Sequence, residues 1–227
     1  MKRFLHQPGC SCRDLNRRDV VNAIFGAGLI VGGLGTTKAA ADPLKLRGAV
    51  KIDGQAAADG QIVKTGSTVE VAPGSEAAFA VGDDAFILRP ASAETGGGGK
   101  VVVEGSGTTV ATMRLIEGGL LSVFGKGENR KVIGSTATIG IRGTGFYMES
   151  LRRSTYVCYC YGAFEFFAND APQVREEAHS THHDGARFMR LEASGPKIVT
   201  VTLGIGHSDA DLIAAERSVG RDVPFKT

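Results

Sequence analysis

The chain has 227 residues with 32 Gly, no Trp, 7% aromatic and 22% charged side chains, and a formal net charge of +2. That length suits one domain with accessory pieces, and so much glycine favours many short elements over long helices. Nearly balanced charge implies no basic surface built to hold nucleic acid.

Residues 1–41 read as a signal peptide. Lys2, Arg3, Arg13, Arg17 and Arg18 form a basic start, Val20 to Gly35 is uncharged and apolar, and Ala39-Ala40-Ala41 offers a cleavage site before Asp42. The apolar run falls short of the roughly 20 residues that cross a hydrocarbon core. Asn16-Arg17-Arg18-Asp19-Val20-Val21 resembles a twin-arginine export signal; an ordinary secretory signal or an uncleaved anchor is the alternative. The expected location is periplasmic or otherwise exported, with inner-membrane anchoring only if the signal stays attached. Residues 1–41 hold six basic and two acidic side chains, which leaves 20 basic and 22 acidic residues, a formal −2. No nucleic acid or anionic lipid partner is expected, and the membrane is reached only through an uncleaved signal. Cys10 and Cys12 fall in the segment expected to be lost, so Cys158 and Cys160 are the thiols that remain.

From Leu44 to Tyr161 short apolar runs alternate with turns. Ala49–Ile52 ends at Asp53-Gly54, a tight-turn signal; further strand-like runs are Gly60–Thr65, Thr68–Val71, Ala77–Val81 and Ala85–Arg89. After the glycine run 96–99, read as a hairpin tip, come Lys100–Glu104, Val110–Ile116, Leu120–Phe124 and Lys131–Ile133. Gly118-Gly119 and Gly125-Lys-Gly127 read as turns flanking one strand. Short strands at this spacing predict a mainly β fold, a sandwich, roll or solenoid-like domain. Gly140, Gly143 and Gly145 permit bends, and Arg142, Gly143, Thr144 and Gly145 form a motif read as structural, with Arg142 supplying a donor fork to carbonyls or a carboxylate.

Val50-x-Ile52-x-Gly54, Thr65-Gly66-x-x-Val69-x-Val71, Phe79-x-Val81-Gly82-x-x-Ala85, Leu115–Val123 and Ser135-Thr-Ala-Thr-Ile-Gly-Ile-Arg-Gly-Thr-Gly-Phe-Tyr147 together resemble the FecR domain family over about 45–165. The resemblance implies a domain division of 1–41 signal, 42–165 FecR-like all-β domain and 166–227 C-terminal extension. It also implies an extracytoplasmic domain used in envelope signal transduction with an iron-related background. The family's best-known members carry a cytoplasmic domain ahead of their membrane span, whereas only about 19 residues precede Val20 here. Their transporter-contacting module is not recognisable in 165–227, so a reused sensor, binding or adaptor domain with an envelope protein partner is the expectation. The alternative is a structural periplasmic interaction module without a ligand.

Tyr156, Cys158 and Cys160 should share one face of a strand, with Val157, Tyr159 and Tyr161 on the other. Farther on lies His179-Ser-Thr-His182-His183-Asp184; were 176–190 to begin as a helix, His179 would share a face with His182 and His183. Cys158, Cys160, His179, His182 and His183 are thus candidate ligands for Zn, Fe or haem, with Asp184 as the acceptor that orients an imidazole. Three other readings stand beside this one. The histidines could form a solvated loop tip, and Cys158 and Cys160 could form a local disulfide. Lastly, either cysteine with His182 or His183 could make a nucleophile–base pair, although no thiol-hydrolase signature surrounds them and the expected protein is not an enzyme. Finally, Lys197–Leu203 reads as a strand. Asp209–Val219 reads as a short helix, capped by Ser208 or Asp209, ended by Gly220 and packed on its own domain, with Val223-Pro224-Phe225 tucking behind it.

Overall fold

A computed structural model describes residues 45–92, 96–127, 130–202 and 204–226. The signal-like segment, Cys10 and Cys12 lie outside the described residues.

Among the described residues fourteen strands form one sheet, antiparallel apart from one parallel pair. They are β1 (Lys45–Arg47), β2 (Val50–Ile52), β3 (Gln55–Ala56), β4 (Thr68–Val71), β5 (Glu76–Val81), β6 (Asp84–Arg89), β7 (Gly99–Ser106), β8 (Thr109–Val123), β9 (Arg130–Ile133), β10 (Ala137–Leu151), β11 (Ser154–Ala168), β12 (Arg175–Ser180), β13 (Gly185–Glu192) and β14 (Gly195–Val201). A helix follows them among the described residues, α1 (Asp209–Ser218). The main path runs β14-β13-β11-β10-β9-β8-β7-β4-β2-β3, with β8–β9 the parallel pair. The sheet stays open and is not a closed barrel. Among the described residues no helix is long and apolar enough to cross a membrane.

Alternation along the strands builds two cores, one on each face. Val50 and Ile52, Val69 and Val71, and Val101 and Val103 point inward from β2, β4 and β7. They meet a chain of rings, Phe79, Phe86, Phe124, Phe146, Phe164 and Tyr159, with successive centroids 5.4, 5.4, 6.1, 6.2 and 4.9 Å apart. At such spacings ring pairs add to what burial alone supplies. The opposite face of β5, β6, β8, β10 and β11 carries Ala78, Ala80, Ile87, Leu121, Val123, Tyr147, Tyr156, Cys158 and Cys160. α1 packs on β6 and β8, and its Leu212 and Ala215 close over that face. The helix therefore packs on its own domain, as its apolar positions predict.

The Asp53-Gly54 turn forms as read, joining β2 to β3 with both residues in the left-handed region (φ 52° and 79°). Gly60–Thr65 is not a strand. β2 pairs directly with β4, so no ladder is open to it; Val63 is buried but Ile62 stays 57% exposed. Gly118-Gly119 is not a turn either: Val110–Ile116 and all of Leu120–Phe124 but its last residue belong to the single long strand β8, bulged against β7 between Glu117 and Leu115. Gly118 sits at φ 90°, and a Cβ there would stand 2.6 Å from the Arg89 carbonyl oxygen and from Gly99 Cα. Gly118→Ala is expected to cost about 2–5 kcal/mol, combining left-handed strain with a backbone collision. A urea titration showing a loss under 1 kcal/mol would refute that expectation.

Residues 176–190 are not helical. They form β12, a tight turn and β13, both strands pairing with β11. β11 runs across residue 165, and β12 to β14 extend the same sheet. The expected alternation on β11 holds only as far as Cys160. Phe146 pairs with Tyr159 and Gly145 with Tyr161, so Cys160 is an extra residue and the strand bulges. In consequence Tyr161 turns onto the same face as Cys158 and Cys160.

Candidate metal centre

Cys158, Cys160, His183 and His207 converge with one donor atom each, all four within 4.8 Å of one another. Cys158 Sγ lies 3.4 Å from His183 Nδ1, Cys160 Sγ 3.3 Å from His207 Nε2, and the two ring nitrogens 3.3 Å apart. Tetrahedral zinc, with bonds of about 2.3 Å to sulfur and 2.0–2.1 Å to nitrogen, sets ligand atoms roughly 3.3–3.8 Å apart. Those three separations fit that figure. Both sulfurs are buried, Cys158 at 2% exposure and Cys160 at 0%, and no disulfide joins them.

Three segments deliver these groups. β11 supplies both cysteines on one face. The turn between β12 and β13 supplies His183, whose left-handed backbone (φ 51°) and N–H donation to the Cys160 carbonyl oxygen (2.8 Å) set its ring over the sulfurs. The stretch before α1 supplies His207, whose ring stacks on Tyr147 at 4.9 Å. Gly206 makes that approach possible. It has φ 77°, and a Cβ there would fall 2.3 Å from the Tyr147 hydroxyl oxygen.

The outward nitrogens of both rings face acceptors. His183 Nε2 lies 3.0 Å from Asp209 Oδ1, and His207 Nδ1 lies 2.9 Å from the Ile205 carbonyl oxygen. A neutral ring held this way carries its proton on the outward nitrogen and turns a lone pair inward. The two inward nitrogens lie 3.3 Å apart and each also faces a sulfur, so either a bound cation or protons shared with the thiols satisfies them. A carboxylate or carbonyl behind a metal-bound imidazole is the arrangement that fixes tautomer and ring orientation.

The local field favours thiolate. Cys160 as donor, and then His183 and His207, hold the Cys158 thiol down to about 3 against the opposing effect of burial. Burial, with Cys158 beside it, pushes Cys160 up. Burial resists charge on His183, yet its contacts with Cys158 and Asp209 outweigh that and raise it. The cluster as it stands favours one negative sulfur, and a divalent ion would draw the second proton off as well.

Several expected site residues lie elsewhere. His179 is exposed on β12 opposite Ala163 and lines an open groove with Arg130, Arg142 and Glu165. The helical spacing that joined it to His182 and His183 does not exist, because the segment is a strand and a turn. His182 is adjacent but not a member: its Nε2 meets Asp209 Oδ1 at 3.0 Å and its ring stacks on Phe225 at 4.2 Å. Asp184 orients no imidazole. Its Oδ2 accepts from the Thr181 N–H at 2.5 Å and the Thr181 hydroxyl at 2.8 Å, and those bonds hold its carboxyl down to about 2. The turn it ties together is the one that presents His183.

Arg142 and Gly143 are exposed on β10, while Thr144 is buried and Gly145 packs against the Tyr161 ring at the bulge. No contact of the Arg142 guanidinium with a carbonyl or carboxylate occurs among the described residues. The strand bend at 142–145 brings β10 against β11 where the sulfurs sit, so the motif shapes the site without touching it.

His207 and Asp209 are the residues that sequence reasoning missed. His207 stands 47 positions beyond Cys160, and Asp209 reads as an ordinary first-turn acid of a helix. The one local sign was Gly206-His207 directly ahead of the Ser208–Asp211 capping box, which forms as a reciprocal pair.

No protein-family model and no curated protein matches this chain. Among solved structures the fold is similar to a crystal structure of a candidate anti-sigma factor from Parabacteroides distasonis. Identity is 14%, the TM-score 0.44, and the alignment spans 60% of each chain.

Proposed function

We propose that this chain is a non-catalytic, exported binding domain that holds a zinc-class ion between Cys158, Cys160, His183 and His207, and that serves the cell envelope as a sensor or adaptor for a protein partner. One observation carries the metal reading: four inward donor atoms within 4.8 Å, with the outward nitrogens of both rings already taken by Asp209 and Ile205. Two thiolates and two imidazoles suit zinc in a closed, four-coordinate site. Donors this close leave no room for a porphyrin between them, which removes haem from the expected ligands. A closed set also leaves no coordination position for a substrate. The envelope role rests on the signal-like residues 1–41 and on the FecR-like segments of 45–165.

A thiol nucleophile is the second reading, favoured by Cys158, His183 and Asp209 lying in line at 3.4 and 3.0 Å. Burial weighs against it, since an attacking sulfur must meet its substrate.

Elemental analysis of protein made with its export route intact tests both. About one zinc per chain is expected, lost in His207→Ala and Cys160→Ser and kept in His179→Ala. Asp209→Asn should weaken binding about 10–100-fold, the usual effect of removing a carboxylate behind a metal-bound imidazole. Metal-free protein with Cys158 rapidly alkylated would replace the zinc reading with the nucleophilic one. Metal-free protein with unreactive thiols would leave a structural interaction module.

A further inference from the structure

Of the four proposed ligands, only His207 comes from the segment after β14, and the carboxylate behind His183 comes from that same segment. Residues 204–226 form a strap. Ile205, Leu212, Ala215, Val219, Val223 and Phe225 lie across Leu121, Val123, Tyr147, Tyr156 and Tyr161, the face of the sheet turned away from the larger core. We infer that the ion works as a clasp, so that its occupancy decides whether this strap stays closed over the second apolar face. The inference rests on the zinc reading above and concerns what the ion controls.

The strap has two fastenings of different kind. At its far end Tyr161 donates to Glu216 Oε1, Arg221 pairs with Glu216 Oε2, and Arg221 also donates to the Asp83 carbonyl oxygen. At its near end the Ile205 N–H donates to the Tyr156 hydroxyl at 3.2 Å, and Arg89 Nη1 reaches the Gly206 carbonyl oxygen at 2.9 Å. Between those two contacts and α1 sits His207, its ring wedged between Tyr147 and His183.

With an ion present, the inward lone pairs of His207 and His183 bind one centre, and Asp209 secures His183 from behind. Without it, the inward nitrogens of His207 and His183 are held only by their contacts with the two sulfurs and with each other. The strap can then move off as a unit, because His207 and Asp209 leave together. The other ligands cannot leave so simply: Cys158 and Cys160 lie within the paired strand β11, and His183 lies in a turn between two strands that both pair with it. Ion loss is therefore expected to act on the strap and to spare the sheet. Opening would bare a face rich in tyrosine, of the composition that protein partners bind.

The test is amide hydrogen exchange on the full chain, zinc-loaded and chelator-stripped, with metal content measured on the same samples. Stripping should speed exchange in α1 at least about tenfold while amides of the β5–β6 hairpin keep their protection. Tryptic cleavage after Arg217 and Arg221 should accelerate in parallel. His207→Ala should exchange like the stripped protein even with zinc added, and the chelator comparison on the unaltered chain stands if that variant does not fold. Zinc bound but α1 exchange unchanged on its removal overturns the clasp and leaves the zinc reading intact. Loss of protection everywhere also overturns it, since the ion would then hold the whole fold. Protein without zinc in either sample removes the zinc reading, and the clasp with it.

Discussion

Stripping zinc from the purified chain is expected to lower its thermal midpoint by about 8–16 °C, with full recovery on adding the ion back. A ligand that binds only the folded state stabilises it by about 4.1 kcal/mol when free ion stands a thousandfold above its dissociation constant. For domains of this size each kcal/mol moves the midpoint by about 2–4 °C. The effect should vanish in Cys160→Ser, which keeps the shape of the side chain but offers a hydroxyl in place of a thiolate. Calorimetry with and without chelator, on the same preparation, reads it directly. Superimposable transitions would mean that no ion contributes to this fold.

Arg89→Ala should destabilise the chain by about 3–5 kcal/mol in urea unfolding, the range for removing one partner of a buried charge cluster. Arg89 Nε lies 3.0 Å from Glu76 Oε2 and Nη1 lies 3.3 Å from Asp211 Oδ2, and the two carboxylate side chains are 7% and 9% exposed. Removing the guanidinium leaves both acids facing each other's field in a dry setting. Arg89→Lys should recover only part of the loss, because one ammonium cannot span both carboxylates and the Gly206 carbonyl as the fork does. Since Arg89 also steadies Gly206 and the first turn of α1, zinc affinity should fall in the alanine variant beyond what the stability loss requires. A cost under 1 kcal/mol would show that water enters and screens the pair.

Much of the β architecture was legible because it is local. Val50 and Ile52 flank Lys51, Val69 and Val71 flank Glu70, and Asp53-Gly54 can hardly be anything other than a turn. The helix was equally plain, since Ser208 and Asp211 make a capping box and Gly220 follows the end with φ 73°. Where glycines interrupt an apolar run the signal fails. Gly118-Gly119 looks like a chain reversal, yet it lies beside a bulge inside a fifteen-residue strand, whereas Gly143 to Gly145 bend their strand as read. A bulge needs a partner strand to define it, and the partner lies far away in sequence.

The amino-acid order by itself determined the chemistry on offer: two thiols two positions apart on a strand, and imidazoles within reach of a turn. Only the tertiary structure decided which of them meet. His179 dropped out because a strand carried it to the edge of a groove, and Asp184 because its carboxylate was consumed by its own turn. His207 and Asp209 entered because the chain after β14 returns across the sheet to lay α1 over Leu121 and Tyr147. That return is driven by burial of an apolar face, which has no direction and no spacing in sequence, so the ligands it gathers follow no motif.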